Sequence, residues 1–325
     1  MDTHSLPYVV NAGSQTGPQT WIKTNRSFID STLDQCGALL LRGFSVTAEP
    51  EFKEIVNLFS SQPLDYVYRS TPRTSLGHGI YTATEYPPGL TIPQHNENAY
   101  QREWPLRLLF FCEYPAQGGG GRTPLADSVK VTNRIDPAIR TRFSEKKVMY
   151  IRNYRKDLDL PWQTVFQTDS REKVEEFCRE HDIAYQWTGP DSLRTKQVCQ
   201  AFAQHPRTGA TVWFNQAHLF HPSGLDKQTR AVMSSMFREE DFPRNAAYGD
   251  GTPLDQAELE NVREAFRQET TSFEWKAGDV LIVDNMLVSH GRTPFKGKRR
   301  VLVGMCDLYS PQQATQSVLV DAVSS

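Results

Sequence analysis

Two histidine-bearing segments nearly two hundred residues apart constrain this chain more than any other feature. One reads His95-Asn96-Glu97; the other carries His290, followed shortly by the basic pair Arg299-Arg300. If residues 95–97 are extended, the strand period of two puts His95 and Glu97 on one face, within reach of one ion. A second strand that brings His290 to the same point adds the third donor. Two histidines and one carboxylate occupy one face of an octahedron and leave three positions open, the donor set of non-haem Fe(II) oxygenases. A fold that uses these residues together must therefore join strands from opposite halves of the sequence. The downstream arginines offer a planar fork that holds a carboxylate through two parallel hydrogen bonds.

The flanking sequence supports strands at both places. Thr91-Ile92-Pro93-Gln94 leads into His95, and an apolar, aromatic-rich run from Pro105 to Cys112 follows. In the second half a turn at Ala277-Gly278-Asp279 opens the apolar run Val280–Val283, with a polar stop at Asp284-Asn285 before His290. Further strands are expected at Ala38–Leu41, Thr211–Phe214 and Val301–Cys306. Helical spacing marks residues 21–33 and 51–60, the latter with Phe52, Ile55, Val56 and Phe59 on one face. Asp169-Ser170-Arg171-Glu172 and Asp255-Gln256-Ala257-Glu258 have the form of helix starts. Strands at both ends with helices between them predict an α+β protein on a double-sheet barrel, a jelly-roll or double-stranded β-helix core with flanking and inserted helices. No repeat or low-complexity linker divides the chain, so residues 1–325 read as a single domain, with a helical insertion around residues 130–205.

Composition narrows the function. Net charge is −2 from 36 basic and 38 acidic residues, so no basic field argues for nucleic acid. No apolar run approaches the roughly 20 residues of a membrane helix. The segment Met1–Pro7 lacks the regions of a signal peptide, and a cytoplasmic protein is expected. The five cysteines are scattered and lack a C-x-x-C, which disfavours disulfides and zinc ribbons; Cys112 and Cys306 read as small core residues.

Several longer pieces carry a resemblance. They are Tyr81–Pro88 (YTATEYPP), His95–Tyr100 (HNENAY), Gly120–Ser128 (GGRTPLADS), Trp213–Gln216 (WFNQ), and Asp284-Asn285-Met286 running through His290-Gly291-Arg292 to Arg299-Arg300. With these the chain resembles the taurine dioxygenase and clavaminate synthase group of Fe(II)/2-oxoglutarate oxygenases, nearest to the branch of syringomycin-type aspartyl hydroxylases. The likeness runs from about Gly37 to Met305. It implies that His95, Glu97 and His290 bind iron. It implies also that Thr123 and Arg300 hold the distal carboxylate of 2-oxoglutarate, with Arg299 the less favoured alternative, since neighbouring strand residues face opposite ways and only one can enter the barrel. The reaction so implied consumes 2-oxoglutarate and O2, releases succinate and CO2, and hydroxylates an unactivated C–H bond. The implied substrate is an amino acid or amino-acid-like small molecule, free or tethered to a carrier protein of a peptide synthetase. The same iron chemistry ending in desaturation or cyclisation is an alternative, and a non-catalytic small-molecule-binding barrel is another.

Other residues compete for attention. His218 and His221 have a spacing that binds metal on a helix, but no H-E-x-x-H frames them and they read as lining or capping the pocket. His78 lies between two glycines in an expected turn. The run Gly118–Gly121 lacks the Lys-Ser or Lys-Thr of a phosphate loop and reads as a turn that permits close approach near the cosubstrate. Arg292 could share the inward face of His290 and contact a carboxylate; Arg69, Arg73, Arg152 and Arg155 are weaker candidates of the same kind.

Overall fold

In the computed structural model, residues 5–311 are described apart from 14–16, 61–63, 65–67, 69, 72, 78, 84, 156 and 157. His78 and Arg69 therefore lie outside the described residues. Helices and strands are both abundant, as the α+β expectation requires.

The largest sheet has seven strands, ordered β1 (Tyr8–Asn11), β2 (Ala38–Arg42), β15 (Val280–Asp284), β6 (Trp104–Tyr114), β17 (Arg300–Tyr309), β4 (Ile80–Thr82) and β3 (Ser75–Gly77). Sequence-distant strands are neighbours throughout its centre. A four-stranded sheet follows the order β14 (Thr271–Phe273), β7 (Thr123–Asp127), β16 (Val288–Arg292) and β5 (Ile92–His95). Alternation along the strands assigns two faces to the large sheet. Leu40, Leu108, Phe110, Leu281, Val283, Val301, Val303 and Met305 form one buried cluster with Leu125 and Val288 of the smaller sheet. Leu39, Leu41, Leu109, Phe111, Val280, Ile282, Leu302 and Cys306 face the other way, into helices Pro18–Thr24, Arg26–Cys36 and Glu49–Phe59. The expected helix over 21–33 is thus two helices that meet at Asn25, and the expected face of Phe52, Ile55, Val56 and Phe59 is the buried one.

The region 130–205 departs from expectation. It holds helices Ser128–Arg134, Pro137–Lys146, Trp162–Phe166 and Arg171–Glu180, but also β8 (Val148–Tyr154), β9 (Ala184–Gly189), β10 (Ser192–Cys199) and β11 (Phe202–Gln204), the last paired with β12 (Thr211–Trp213). With β13 (Arg244–Tyr248) the strands order as β13-β8-β10-β9, a second four-stranded sheet. The block is mixed rather than helical, because the buried residues of β8 and β10 join one core cluster with helix Gln256–Glu269 from later in the chain. Helix Arg171–Glu180 starts one residue later than its D-x-x-E form indicates. Ser170 is the cap that accepts from Lys173 N, and Glu172 accepts from its hydroxyl. Asp255 caps the later helix as expected. Cys112 and Cys306 are buried and unbonded to one another. No described helix is long and apolar enough to cross a membrane.

Candidate metal centre

Strand pairing brings the two halves of the sequence to one point. β16 lies between β5 and β7, and His290 stands directly opposite His95 on β5 and Leu125 on β7. The imidazole rings approach to 4.5 Å between centroids. Potential ligand atoms of His95, Glu97 and His290 all lie within 4.8 Å of one another, and among the described residues this is the group that could hold a metal ion.

Glu97 reaches the point differently from the expected strand geometry. β5 ends at His95 and Glu97 opens a turn, so period-two alternation does not place it. Asn285 does. Its Oδ1 accepts from Glu97 N at 2.7 Å, and its Nδ2 donates to Glu97 O at 2.9 Å and Pro105 O at 2.8 Å. Asn96 continues the clamp by donating to Asn285 O at 2.6 Å, while its own carbonyl accepts from Gln216 Nε2 at 2.8 Å. These side chains are buried, so each amide–backbone bond fixes the turn without competition from water. Asn285 and Gln216 stand within motifs read from the sequence, but no spacing rule gave them this task.

A narrow approach of main chains sets the position of His290. The pairing register shifts between His290 and Arg292, and a Cβ built on Gly291 would lie 2.6 Å from Ile92 O. Only glycine lets β16 press against β5 there. His95 Nδ1 lies 2.9 Å from Pro93 O, which leaves Nε2 for a ligand. Burial lowers the pKa of both histidines, His290 well below its usual range, so both imidazoles offer lone pairs near neutrality. The donor set fits a divalent iron: two neutral nitrogens and a carboxylate on one side, with a cavity on the other.

That cavity is lined by the two histidines and by Arg73, Phe110, Thr123, Arg292, Arg299, Val301 and Val303, among others. Thr123 opens β7, and Trp275 Nε1 donates to its hydroxyl oxygen at 3.0 Å, so the hydroxyl proton remains available to an acceptor in the cavity. Arg299, not Arg300, is the cavity arginine. Arg299, Val301 and Val303 line the cavity, whereas Leu302 and Cys306 face the helices and Arg300 is not among the lining residues. Arg300 turns out toward helix Glu49–Phe59, 2.5 Å from Glu113 and 3.4 Å from Glu49. The placement of Arg300 as the inward residue is therefore corrected. The glycine run makes room for Arg299: Gly121 has φ +66°, and a Cβ there would meet Arg299 Cδ at 2.9 Å. Arg299 Nε donates to Gly121 O at 3.2 Å, and burial brings its pKa down to about 10, still charged at neutral pH.

The remaining candidates separate cleanly. Arg292 lines the cavity, but its terminal nitrogens donate to Tyr86 O, Pro87 O and Leu90 O, which anchors the 86–90 segment. Arg73 is buried beside the metal point, 2.6 Å from Glu97 Oε2. Arg152 is buried between the Tyr68 and Tyr154 rings, and Arg155 pairs with Asp241. His218 stacks on Phe266 and His221 caps the short helix Pro222–Gly224; neither lines the cavity. Burial brings their pKa values down to about 3 and about 4.

Comparison with known proteins gives the family. Residues 6–306 match the family described as taurine catabolism dioxygenase TauD, TfdA family. The dapdiamide synthesis protein DdaC of Enterobacter agglomerans is 40% identical over 283 residues, 87% of this chain and 86% of that protein. A clavaminate synthase-like protein of Arabidopsis thaliana is 32% identical over 296 residues, covering 88% of this chain and 86% of its own. Among solved structures, the PvcB protein from Pseudomonas aeruginosa shares the fold with a TM-score of 0.50 at 16% identity, over 91% of this chain and 84% of that one. The chain therefore belongs to the TauD/TfdA dioxygenase family, and it is an oxidoreductase that works with iron, 2-oxoglutarate and dioxygen.

Proposed function

We propose that this enzyme hydroxylates an unactivated C–H bond of an amino-acid-derived natural-product intermediate, coupled to release of succinate and CO2. The observation that carries the reading is one cavity that His95 and His290, with Glu97 beside them, share with Arg299 and Thr123. The relative named for dapdiamide synthesis supports a biosynthetic substrate built from amino acids. In this reading residues 1–325 form one catalytic domain on a double-stranded β-helix of the two facing sheets, acting in the cytoplasm on a small molecule that is free or tethered to a carrier protein.

Iron with 2-oxoglutarate and dioxygen supplies the oxidising power, which no protein side chain provides. The chain contributes binding, orientation and dryness. His95, Glu97 and His290 would hold the metal on one side. Arg299 would receive the distal carboxylate of 2-oxoglutarate through its terminal nitrogens, while the Thr123 hydroxyl, oriented by Trp275, donates a further bond to it. Phe110, Val301 and Val303 line the space between with apolar surface, so a reactive centre there meets no bulk water.

The test is a screen of amino acids and N-acylated amino acids with iron, ascorbate and 2-oxoglutarate. Substrate-dependent succinate with a product heavier by one oxygen is the expected result. A product lighter by two hydrogens would replace hydroxylation with desaturation or cyclisation. No succinate with or without substrate would overturn the oxygenase reading.

A further inference from the structure

Resting on the reading of His95, Glu97 and His290 as the metal ligands, we infer that His205 is a positioning residue for the metal centre. It acts through Asp284 on the turn that holds Glu97 and leads to His290. His205 follows β11 and closes the loop to β12: its N–H donates to Ala210 O and its carbonyl accepts from Gly209 N, both at 2.9 Å. Asp284 ends β15, 79 residues further along the chain. The His205 ring and the Asp284 carboxylate are nonetheless 3.0 Å apart, with side chains 1% and 3% exposed. The main chain fixes the proton. Thr208 N donates to His205 Nδ1 at 3.1 Å, so Nδ1 presents its lone pair and Nε2 carries the hydrogen that Asp284 Oδ2 accepts. The other carboxylate oxygen, Oδ1, accepts from Met286 N and Leu287 N, both at 3.0 Å.

What the 284–287 turn carries gives this pair its reach. Asn285 clamps the Glu97 main chain from within the turn, Leu287 O accepts from Ser128 N at 2.8 Å, and His290 follows on β16. The hairpin that bears His205 packs on the same place. Ala203, Val212 and Phe214 share one buried cluster with Met286, Leu287 and with Ala99 of the Glu97 turn. Among the described residues no other side chain hydrogen-bonds Asp284. Arg207 stays 3.9 Å away, partly exposed, and lies nearer Asp34 at 2.7 Å, so it does not replace the bond from Nε2. A buried carboxylate that loses such a donor is left unsatisfied and shifts toward another partner. A shift of Asp284 takes Asn285 and the Glu97 carboxylate with it. Arg299 and Thr123 come from other segments, so the effect belongs to the metal and not to 2-oxoglutarate.

Calorimetric titration of the metal-free protein with Co(II) gives the readout, and the visible Co(II) spectrum reports ligand geometry. His205→Asn keeps a carbonyl near the place of Nδ1 for Thr208 and removes the bond to Asp284. Co(II) binding should weaken at least about tenfold with an altered spectrum, while 2-oxoglutarate at saturating Co(II) binds within about threefold of the unaltered protein. His205→Gln, whose amide nitrogen reaches the place of Nε2, should stay within about threefold in Co(II) affinity. Asp284→Asn sets a donor against either the Nε2–H or the two main-chain N–H groups and should weaken Co(II) binding at least about tenfold. Adding His205→Gln, which can turn its carbonyl to that donor, should recover most of the loss. Normal Co(II) affinity in His205→Asn, equal losses in His205→Asn and His205→Gln, or equal losses of Co(II) and 2-oxoglutarate binding would overturn the inference. If His205→Asn and Asp284→Asn do not fold, hydrogen exchange of the unaltered protein decides. Coupling is reciprocal, so Co(II) should slow exchange of the Thr208 amide, and an unchanged rate overturns the assignment. Failure of the unaltered protein to bind Co(II) would instead sink the metal reading itself, and the role of His205 with it.

Discussion

The metal end and the anion end of the cavity are built on different segments by different means. At the metal end the donors are held by the backbone: His290 by pairing between β5 and β7, and Glu97 by the Asn285 clamp on its own N–H and carbonyl. At the anion end the donors depend on side chains reaching past one another. Arg299 threads a gap left by Gly121, and Thr123 is oriented by Trp275 from β14's far end. Backbone-held ligands tolerate little error and give strong local sequence signals. Side-chain-held contacts depend on which face of a strand is inward, and so on everything packed around it.

The comparison breaks first at the metal. His95→Ala, Glu97→Ala and His290→Ala should each abolish turnover and weaken metal binding measured by calorimetry, because each removes one of three protein donors. Near-normal activity in any folded one of these variants removes that residue from the donor set. The next largest effect belongs to the anion end. Arg299→Ala should raise the apparent KM for 2-oxoglutarate by roughly a hundred- to several thousand-fold, since stripping the partner of a buried charge costs on the order of 3–5 kcal/mol. Arg300→Ala, which loses only partly exposed contacts to Glu113 and Glu49, should change it by less than about threefold. A reversal of these two effects would put the inward face of β17 on the other parity.

A smaller effect sharpens the difference in construction. Gly291→Ala places a methyl 2.6 Å from Ile92 O, and a strand carbonyl cannot step aside as a side chain can. Metal affinity should fall at least about tenfold, with a lowered Tm and a nearly normal 2-oxoglutarate response once metal is saturating. If Gly291→Ala binds metal normally, close packing of β16 on β5 does not set the metal end. The mildest change is Trp275→Phe, which removes the N–H that orients Thr123. A loss of about 1 kcal/mol, a several-fold rise in KM for 2-oxoglutarate with unchanged metal affinity, is expected. Equal effects on both constants would mean that Trp275 supports the whole site and not the anion end.

Much of the site is legible before any fold is known. His95, Glu97 and His290 come from their residue types and spacing, and Thr123 from the resemblance; the two histidines and Thr123 line the cavity, and Glu97 has a ligand atom within 4.8 Å of those of the histidines. Arg73 was a weak candidate among several, because its segment carries no periodic pattern. Asn285 and Gln216 were visible inside motifs and Trp275 was not singled out, yet what they hold is 120 to 188 residues away and no local rule connects them. The helical reading of residues 130–205 failed for a related reason: β8, β9 and β10 acquire their sheet partly from β13, well beyond the segment.

The sequence by itself determined the chemistry available: which atoms can bind a metal, where strands and caps begin, and that a basic pair follows the last ligand. These are local properties, set by residue type and by periods of two or 3.6. Tertiary structure decided which of Arg299 and Arg300 enters the cavity, which asparagine fixes Glu97, and why glycine stands at positions 121 and 291. Each is a question of what lies across a gap from a residue, and the answer comes from strands that meet only when distant parts of the chain pack together.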